Sequence, residues 1–307
     1  MPSRLCYVRR MSLPIDPLWP RAGSWPSLDS VLGTIDLALL GIPTWRTSLS
    51  PTGAHQTPNA VREAIRRYST FVPGGDVERL QFADAGNVDE PDGNEGEQRA
   101  REAMRHTAAR ARVTVALGGD NALTFPAALG SYGDQLSTAG LITLDAHHDL
   151  RDGVTNGSPV RRLIEAGLDG SRIVQIGIAD FANSVAYRQR ADDAGITVIS
   201  RDDVHVRSTS EIMEQALSIA GAAGGPVHVD LDVDVCDRAV APGCPASIPG
   251  GISAWELRCF ARAAGASPLV RSVDIAEVDA TADTADQRTV RLTALLVLEV
   301  AAGLATR

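Results

Sequence analysis

Aromatic residues are scarce: Phe, Trp and Tyr make up 4% of the 307 residues. A stacking platform for single-stranded nucleic acid is therefore not expected. Runs of basic residues are missing and the formal net charge is −9, so duplex nucleic acid and anionic membrane surfaces are poor partners. No stretch approaches the roughly 20 uncharged apolar residues of a membrane span. The four cysteines, at 6, 236, 244 and 259, lack C-x-x-C spacing, which excludes a disulfide framework and a zinc knuckle. Neither a phosphate loop ending in Gly-Lys-Ser/Thr nor a G-x-G-x-x-G helix opening is present. Arg4, Arg9 and Arg10 lend the N-terminus positive charge, but Asp16 and three prolines, Pro14, Pro17 and Pro20, interrupt any apolar stretch. No signal peptide is expected, and a cytoplasmic location is.

What is present is an ordinary supply of core residues: 44% hydrophobic and 22% charged. Residues 1–30, rich in Pro, Ser and Trp, read as an arm that wraps the domain or packs on a neighbouring subunit, with Trp19 and Trp25 as packing anchors. Beyond it, short apolar runs, several of them β-branched, alternate with longer amphipathic ones. Strands are expected at 35–41, 81–85, 113–117, 140–145, 172–178, 196–199, 226–232 and 270–276. Helices are expected at 58–69, 97–111, 121–130, 159–167, 183–194, 209–222, 253–265 and 288–303. Pro58 suits a first helical position, and Ser253 with Glu256 reads as a capping box. The acidic, Gly- and Asn-rich segment 86–98 reads as a solvated loop. Strand–helix alternation implies a parallel sheet with helices on both faces, and it runs unbroken, so 31–307 is expected to form one catalytic domain.

In such a sheet, ligands bind beyond the carboxyl ends of the strands. Asp145, His147 and Asp149 follow the run GLITL at i, i+2, i+4. In extended backbone that spacing turns all three to one side, as a metal-ligand set. His148 would point the other way. Asp230, Asp232 and Asp234 end the run PVHVDLD, and their mutual repulsion in a partly buried site would be removed by a cation. Mixed carboxylate and imidazole ligands suit Mn²⁺, with Fe²⁺, Co²⁺ or Zn²⁺ as alternatives, and the acids suffice to bridge two ions. Gly118-Gly119-Asp120-Asn121 marks a tight turn at another strand end, and Glu277 at a further one could anchor a cationic amidine. His55, His106, His205 and His228 read as structural or surface residues, and Cys236 and Cys244 as packing.

Five segments together resemble the ureohydrolase superfamily of arginases, agmatinases and formimidoylglutamases: TGAHQTPNAVREAIR, LGGDNALT, LDAHHDLRDG, VDLDVDVCDRAVAPG and VDIAEVDATAD. The likeness spans roughly residues 35–303. It implies a three-layer α/β/α sandwich with a mostly parallel eight-stranded sheet, a dinuclear Mn²⁺ centre, and hydrolysis of a C–N bond in a guanidino or formimino group. By the same resemblance Asp145, His147, Asp149, Asp232 and Asp234 are ligands, with Asp145 and Asp232 bridging, and Glu277 holds the substrate's nitrogen end. Family members are often trimers or hexamers, so a homo-oligomer is expected.

Two positions depart from the family pattern. Asn121 replaces a ligand histidine, and an Asn carbonyl coordinates Mn²⁺ less strongly. Asn156-Gly157 replaces a His-Gly pair whose histidine shuttles a proton. Asp149-Leu150-Arg151 followed by Asn156-Gly157-Ser158-Pro159 looks like the formimidoylglutamase version. N-formimidoyl-L-glutamate is a dicarboxylate and needs a guanidinium, which Arg151 could supply unless it merely pairs with Asp152. The expected reaction is hydrolysis of that compound to L-glutamate and formamide by a metal-bridging hydroxide, as in histidine degradation. Asp149 and Glu277 are the catalytic residues expected, and Arg151, Asn156 and Glu277 bind substrate. The alternatives are an agmatinase or another guanidino-acid hydrolase, and a catalytically silent binding protein favoured by Asn121.

Overall fold

The computed structural model describes residues 15–73 and 75–307. Besides a short antiparallel pair, Phe71–Val72 with Gly75–Asp76, eight strands alternate with helices among the described residues: β1 (Ile35–Ile42), β2 (Phe82–Asn87), β3 (Ala111–Gly118), β4 (Gly140–Leu144), β5 (Ile173–Ile178), β6 (Thr197–Ser200), β7 (Val227–Asp232) and β8 (Val270–Ala276). They form one sheet in the order β2-β1-β3-β8-β7-β4-β5-β6. Every pairing in it is parallel. The helices are α1 (Thr57–Ile65), α2 (Gly93–Ala108), α3 (Thr124–Tyr132), α4 (Pro159–Glu165), α5 (Val185–Asp193), α6 (Arg201–Val206), α7 (Thr209–Ala220), α8 (Ala254–Ala266) and α9 (Arg288–Leu304). Helices α1, α7, α8 and α9 cover one face and α2, α3 and α4 the other. This is the three-layer sandwich expected.

The two faces of the sheet differ in chemistry. Val227, Val229 and Leu231 of β7 join Val273 and Ile275 of β8, Val113 and Val115 of β3 and the α8–α9 layer in one apolar cluster. Each such fully buried side chain stabilises by about 1.5–3 kcal/mol. The alternate residues face α3 and are polar, although equally buried: His228, Asp230, Ser272, Asp274, Thr114 and Thr143. His228 bridges Ser272 (Nδ1 to Oγ, 2.6 Å) and Asp274 (Nε2 to Oδ2, 2.8 Å), so it is structural. Thr143, Asp230 and Asp274 are in register across β4, β7 and β8. This polar row lies directly under the strand ends that carry the site.

Two local features differ from expectation. The segment 86–98 is not all loop, because α2 begins at Gly93. Its Glu-, Gln-, Arg- and Ala-rich tract propagates backwards, and Gly96 fits where a Cβ would stand 2.4 Å from the Glu90 carbonyl. The short α6 was not expected, although Ser200 and Asp203 make a reciprocal capping box at its start. Ser253 and Glu256 make the expected one on α8. Within the arm, Trp25 stacks on Phe82 at 4.4 Å, whereas Trp19 is 53% exposed. The first fourteen residues of the arm lie outside the described residues.

Candidate metal centre

Four adjacent central strands, β3, β8, β7 and β4, deliver the expected residues to one end of the sheet. Asn121 follows β3, Glu277 follows β8, Asp232 ends β7 and Asp145 follows β4. The β3 end is tight: Gly119 packs where a Cβ would lie 1.8 Å from the Thr44 carbonyl, and its own carbonyl accepts from Glu277 N–H at 3.0 Å. A side chain at 119 would displace both Asn121 and Glu277.

The convergence of Asp145, His147 and Asp149 does not come from extended backbone. The chain turns after Leu144: Asp145 Oδ1 accepts from His147 N–H at 2.6 Å, and Asp149 has φ +53°. Similarly, Asp234 sits in a 3₁₀ turn after β7, where its N–H donates to Asp232 Oδ1 at 2.8 Å. Asp234 Oδ1 then accepts from Ala146 N–H at 2.9 Å and joins the two turns. Glu277 has φ +58°, another left-handed non-glycine residue. Such conformations cost about 1–3 kcal/mol each and persist where the surroundings impose them.

Asp145, His147 and Asp234 place one ligand atom each within 4.8 Å of one another. His147 Nδ1 lies 2.7 Å from Asp234 Oδ2 and 3.4 Å from Asp145 Oδ1. Burial alone would lower the imidazole pKa, but the Asp234 and Asp145 carboxylates push it up to about 12. Burial opposes ionisation of Asp234, yet His147 and the Ala146 N–H hold it below the usual carboxylate range. The other acids go the opposite way. Burial and the Asp234 charge push Asp145 up to about 7. Burial and Asp145 raise Asp149 well above the ordinary range, and burial and Asp234 do the same to Asp232. Glu277 is raised by burial despite bonds from Asn156 and Asn121. Buried carboxylates with unmet negative charge beside an imidazole fit a divalent cation between hard and borderline.

A cavity of about 240 Å³ opens on this cluster, and Asn121, His147, Asp149, Arg151, Asn156, Asp232, Asp234 and Glu277 all reach it. Asp145 lies beneath. Asn121 Nδ2 donates to Asp149 Oδ2 at 2.6 Å, its N–H donates to Glu277 Oε1 at 2.9 Å, and its Oδ1 accepts from the Thr124 hydroxyl. Asn156 Nδ2 donates to Glu277 Oε1 at 2.7 Å, while its Oδ1 accepts from Leu49 N–H. Both bonds to Glu277 fall on Oε1, which leaves Oε2 free towards the cavity. Asp152 pairs with Arg190 at 2.8 Å, not with Arg151. The Arg151 stem crosses Gly157, where a Cβ would meet its Cδ at 2.8 Å, and its guanidinium stands 6.0 Å from the Tyr187 ring centroid. No acid among the described residues pairs with it.

His148 turns away from the cluster, as expected, and exchanges bonds with Gln175: Nδ1 to Oε1 at 2.7 Å, and Gln175 Nε2 to the His148 carbonyl at 2.8 Å. Cys236 and Cys244 are buried packing residues. Sequence reasoning missed Asn183, whose Oδ1 accepts from His148 N–H and whose Nδ2 donates to the Ala146 carbonyl, pinning the turn that carries Asp145 and His147. It also missed Tyr187 of α5 and Leu49 of the segment after β1, which line the cavity. Only the fold brings them there, and no spacing signalled them.

An α/β/α sandwich with an acid–imidazole cluster beyond the ends of its central parallel strands suits a metal-dependent hydrolase. Comparison with known proteins narrows this. The model of the Arginase family matches residues 35–303. The chain belongs to the arginase family, hydrolases that act on C–N bonds of linear amidines. It is 35% identical over 256 residues to formimidoylglutamase of Halalkalibacterium halodurans, covering 80% of each chain. The crystal structure of formimidoylglutamase from Bacillus subtilis superposes with a TM-score of 0.89 at 27% identity, covering 97% of this chain and 95% of that one. The structure of Trypanosoma cruzi formiminoglutamase with Mn²⁺ has a TM-score of 0.80 at 22% identity, covering 89% of this chain and 94% of that one, and shares the fold. No helix among the described residues is long and apolar enough to cross a membrane.

Proposed function

We propose that the protein hydrolyses N-formimidoyl-L-glutamate: water adds to the formimino carbon, the bond to the glutamate nitrogen breaks, and L-glutamate and formamide leave. The observation that carries this reading is the unpaired guanidinium of Arg151 on the wall of the acid-lined cavity. A substrate with two carboxylates gains a charge-assisted contact there, whereas agmatine, a dication, is repelled. The relatives named above support the same substrate.

The donor set suits two Mn²⁺ ions. Asp145, His147, Asp232 and Asp234 would hold one, and Asp145, Asp149 and Asp232 the other; Asn121, whose Oδ1 accepts from the Thr124 hydroxyl and whose Nδ2 bonds Asp149, would have to turn its amide to add a ligand. The chemistry such ions supply is Lewis-acid polarisation and hydroxide near neutral pH. The chain's own residues do the rest. Glu277 Oε2, the oxygen without a protein partner, binds the cationic amidine N–H. Asn156 and the Asn121 N–H hold that carboxylate in place through Oε1. Asn121 Nδ2 fixes Asp149 by its Oδ2, so Asp149 Oδ1 is the atom that takes the proton of the attacking water and passes it to the leaving amine. Asn156 cannot shuttle a proton at neutral pH, which leaves that task to Asp149.

A substrate panel tests this. N-formimidoyl-L-glutamate, 4-guanidinobutyrate and agmatine are assayed with the wild type and with Arg151→Ala. Fastest turnover of the dicarboxylate, with a kcat/KM loss of about 10- to 100-fold in the variant, is the expected result. Preference for agmatine, or indifference to the Arg151 change, would move the assignment to a guanidino substrate.

A further inference from the structure

A second cavity, of about 310 Å³, lies beyond the ends of β5 and β6, and no residue lining it lines the metal-centre cavity. Its wall includes Arg201, the one buried arginine among the described residues, 7% exposed. Arg162, by contrast, grips both oxygens of Glu97 at 2.7 Å. Arg201 is not matched. Its Nη2 reaches only the Val235 carbonyl, at a long 3.4 Å, and its Nε is buried with no partner. No carboxylate among the described residues is within ion-pair distance. Asp234, Asp145 and Asp237 act on it at longer range, but the first two belong to the metal centre and Asp237 accepts from the Ala239 and Gly250 N–H groups. A guanidinium has five donors, and leaving a buried one unpaired is costly. The arrangement calls for an anion.

The rest of the wall says which kind. Asp180 and Asp202 stand on the rim without an ion pair, so a plain anion would meet two negative charges on its way to Arg201. Ile178, Ile248 and Pro249 supply an apolar side, and the ring of Phe181 stands fully exposed beside them. One buried cation, two rim acids and an apolar wall complement a zwitterion with an apolar tail. The volume is at the lower end of small-molecule sites, about 300–1,000 Å³.

We propose that this cavity is a second ligand site that takes an α-amino acid with an apolar side chain, its carboxylate on Arg201, its ammonium between Asp180 and Asp202, and its side chain against Ile178, Ile248 and Pro249. The site does not depend on the identity of the substrate at the metal centre.

Calorimetric titration of the Mn²⁺-loaded protein tests it with three probes: L-leucine, 4-methylpentanoate, which lacks the ammonium, and 3-methylbutylamine, which lacks the carboxylate. The expected result is saturable L-leucine binding, one per chain, with each truncated probe weaker by about tenfold or more. Arg201→Met should abolish binding, and Asp202→Asn should weaken it by about tenfold. Ile248→Trp fills the cavity and should block L-leucine while amidine hydrolysis continues. If Arg201→Met does not fold, the other two variants decide. No saturable binding up to about 10 mM, binding unchanged in Asp202→Asn and Ile248→Trp, or loss of binding on saturating the metal-centre cavity with 4-guanidinobutyrate each overturns the proposal.

Discussion

His147 Nδ1 and Asp234 Oδ2 stand 2.7 Å apart, an ion pair in which a proton on the imidazole occupies the direction a metal ion would take. With the imidazole pushed up to about 12, metal and proton compete for the same nitrogen. Mn²⁺ binding should therefore release at least one proton per chain. Calorimetry in buffers of different ionisation enthalpy would show it, and affinity should fall about tenfold for each unit by which the pH is lowered, per proton released. Affinity independent of pH between 6 and 8 would show that His147 is not a ligand.

Stability of the chelated protein should fall as pH rises. Asp145 and Asp120 are pushed up to about 7, Asp145 by burial and Asp234, Asp120 by burial and Glu277. A carboxyl whose folded pKa is raised binds its proton more tightly when folded. Its stabilising contribution is full below the unfolded value near 4 and is lost as pH rises through about 7. His147, raised from its ordinary value, acts in the same direction above pH 6.5. Thermal melts of metal-free protein should drop between pH 5 and 8 by an amount equivalent to a few kcal/mol, and Mn²⁺ should remove most of that slope. A melting temperature that rises over this range would contradict the description of the acid cluster.

Much of this was legible in the sequence. Each strand of the eight-stranded sheet lies where a short apolar run predicted one, and the acids at their ends mark the candidate site. The polar face of β7 explains why V-H-V-D-L-D alternates although both faces are buried. That alternation is visible in the sequence, but its partners, Ser272 and Asp274, come from another strand. The turns of Asp149 and Glu277 into left-handed backbone were not readable, because neither residue type requires it. Nor was the Asn121–Asp149 bond, which joins two strand ends through tertiary contact alone.

Asp230 gives a stability prediction. Both of its carboxylate oxygens are buried without a hydrogen-bond partner, next to Asp274 in the adjoining strand. Burial and the Asp274 charge raise it well above the carboxylate range. Asp230→Asn keeps the shape and removes the ionisable group, so urea unfolding at pH 8 should show a gain of about 1–3 kcal/mol. A loss of that size would mean that the carboxyl is satisfied by ordered water or a shared proton.

Glu277→Gln separates charge from shape. The amide can still bond Asn156 or Asn121 through one oxygen, but the charge facing the amidine is gone. Loss of one charge-assisted contact predicts a fall in kcat/KM of about 10- to 100-fold with Mn²⁺ content unchanged. Loss of metal together with activity would instead place Glu277 among the ligands.

The most direct test of the account loads chelated, purified protein with Mn²⁺, counts bound metal, and measures formamide released from N-formimidoyl-L-glutamate in the same sample. Two ions per chain with turnover, and both lost in Asp232→Ala while the fold is kept, is the predicted result. Turnover that persists in Asp232→Ala, or in protein stripped of metal, would contradict it.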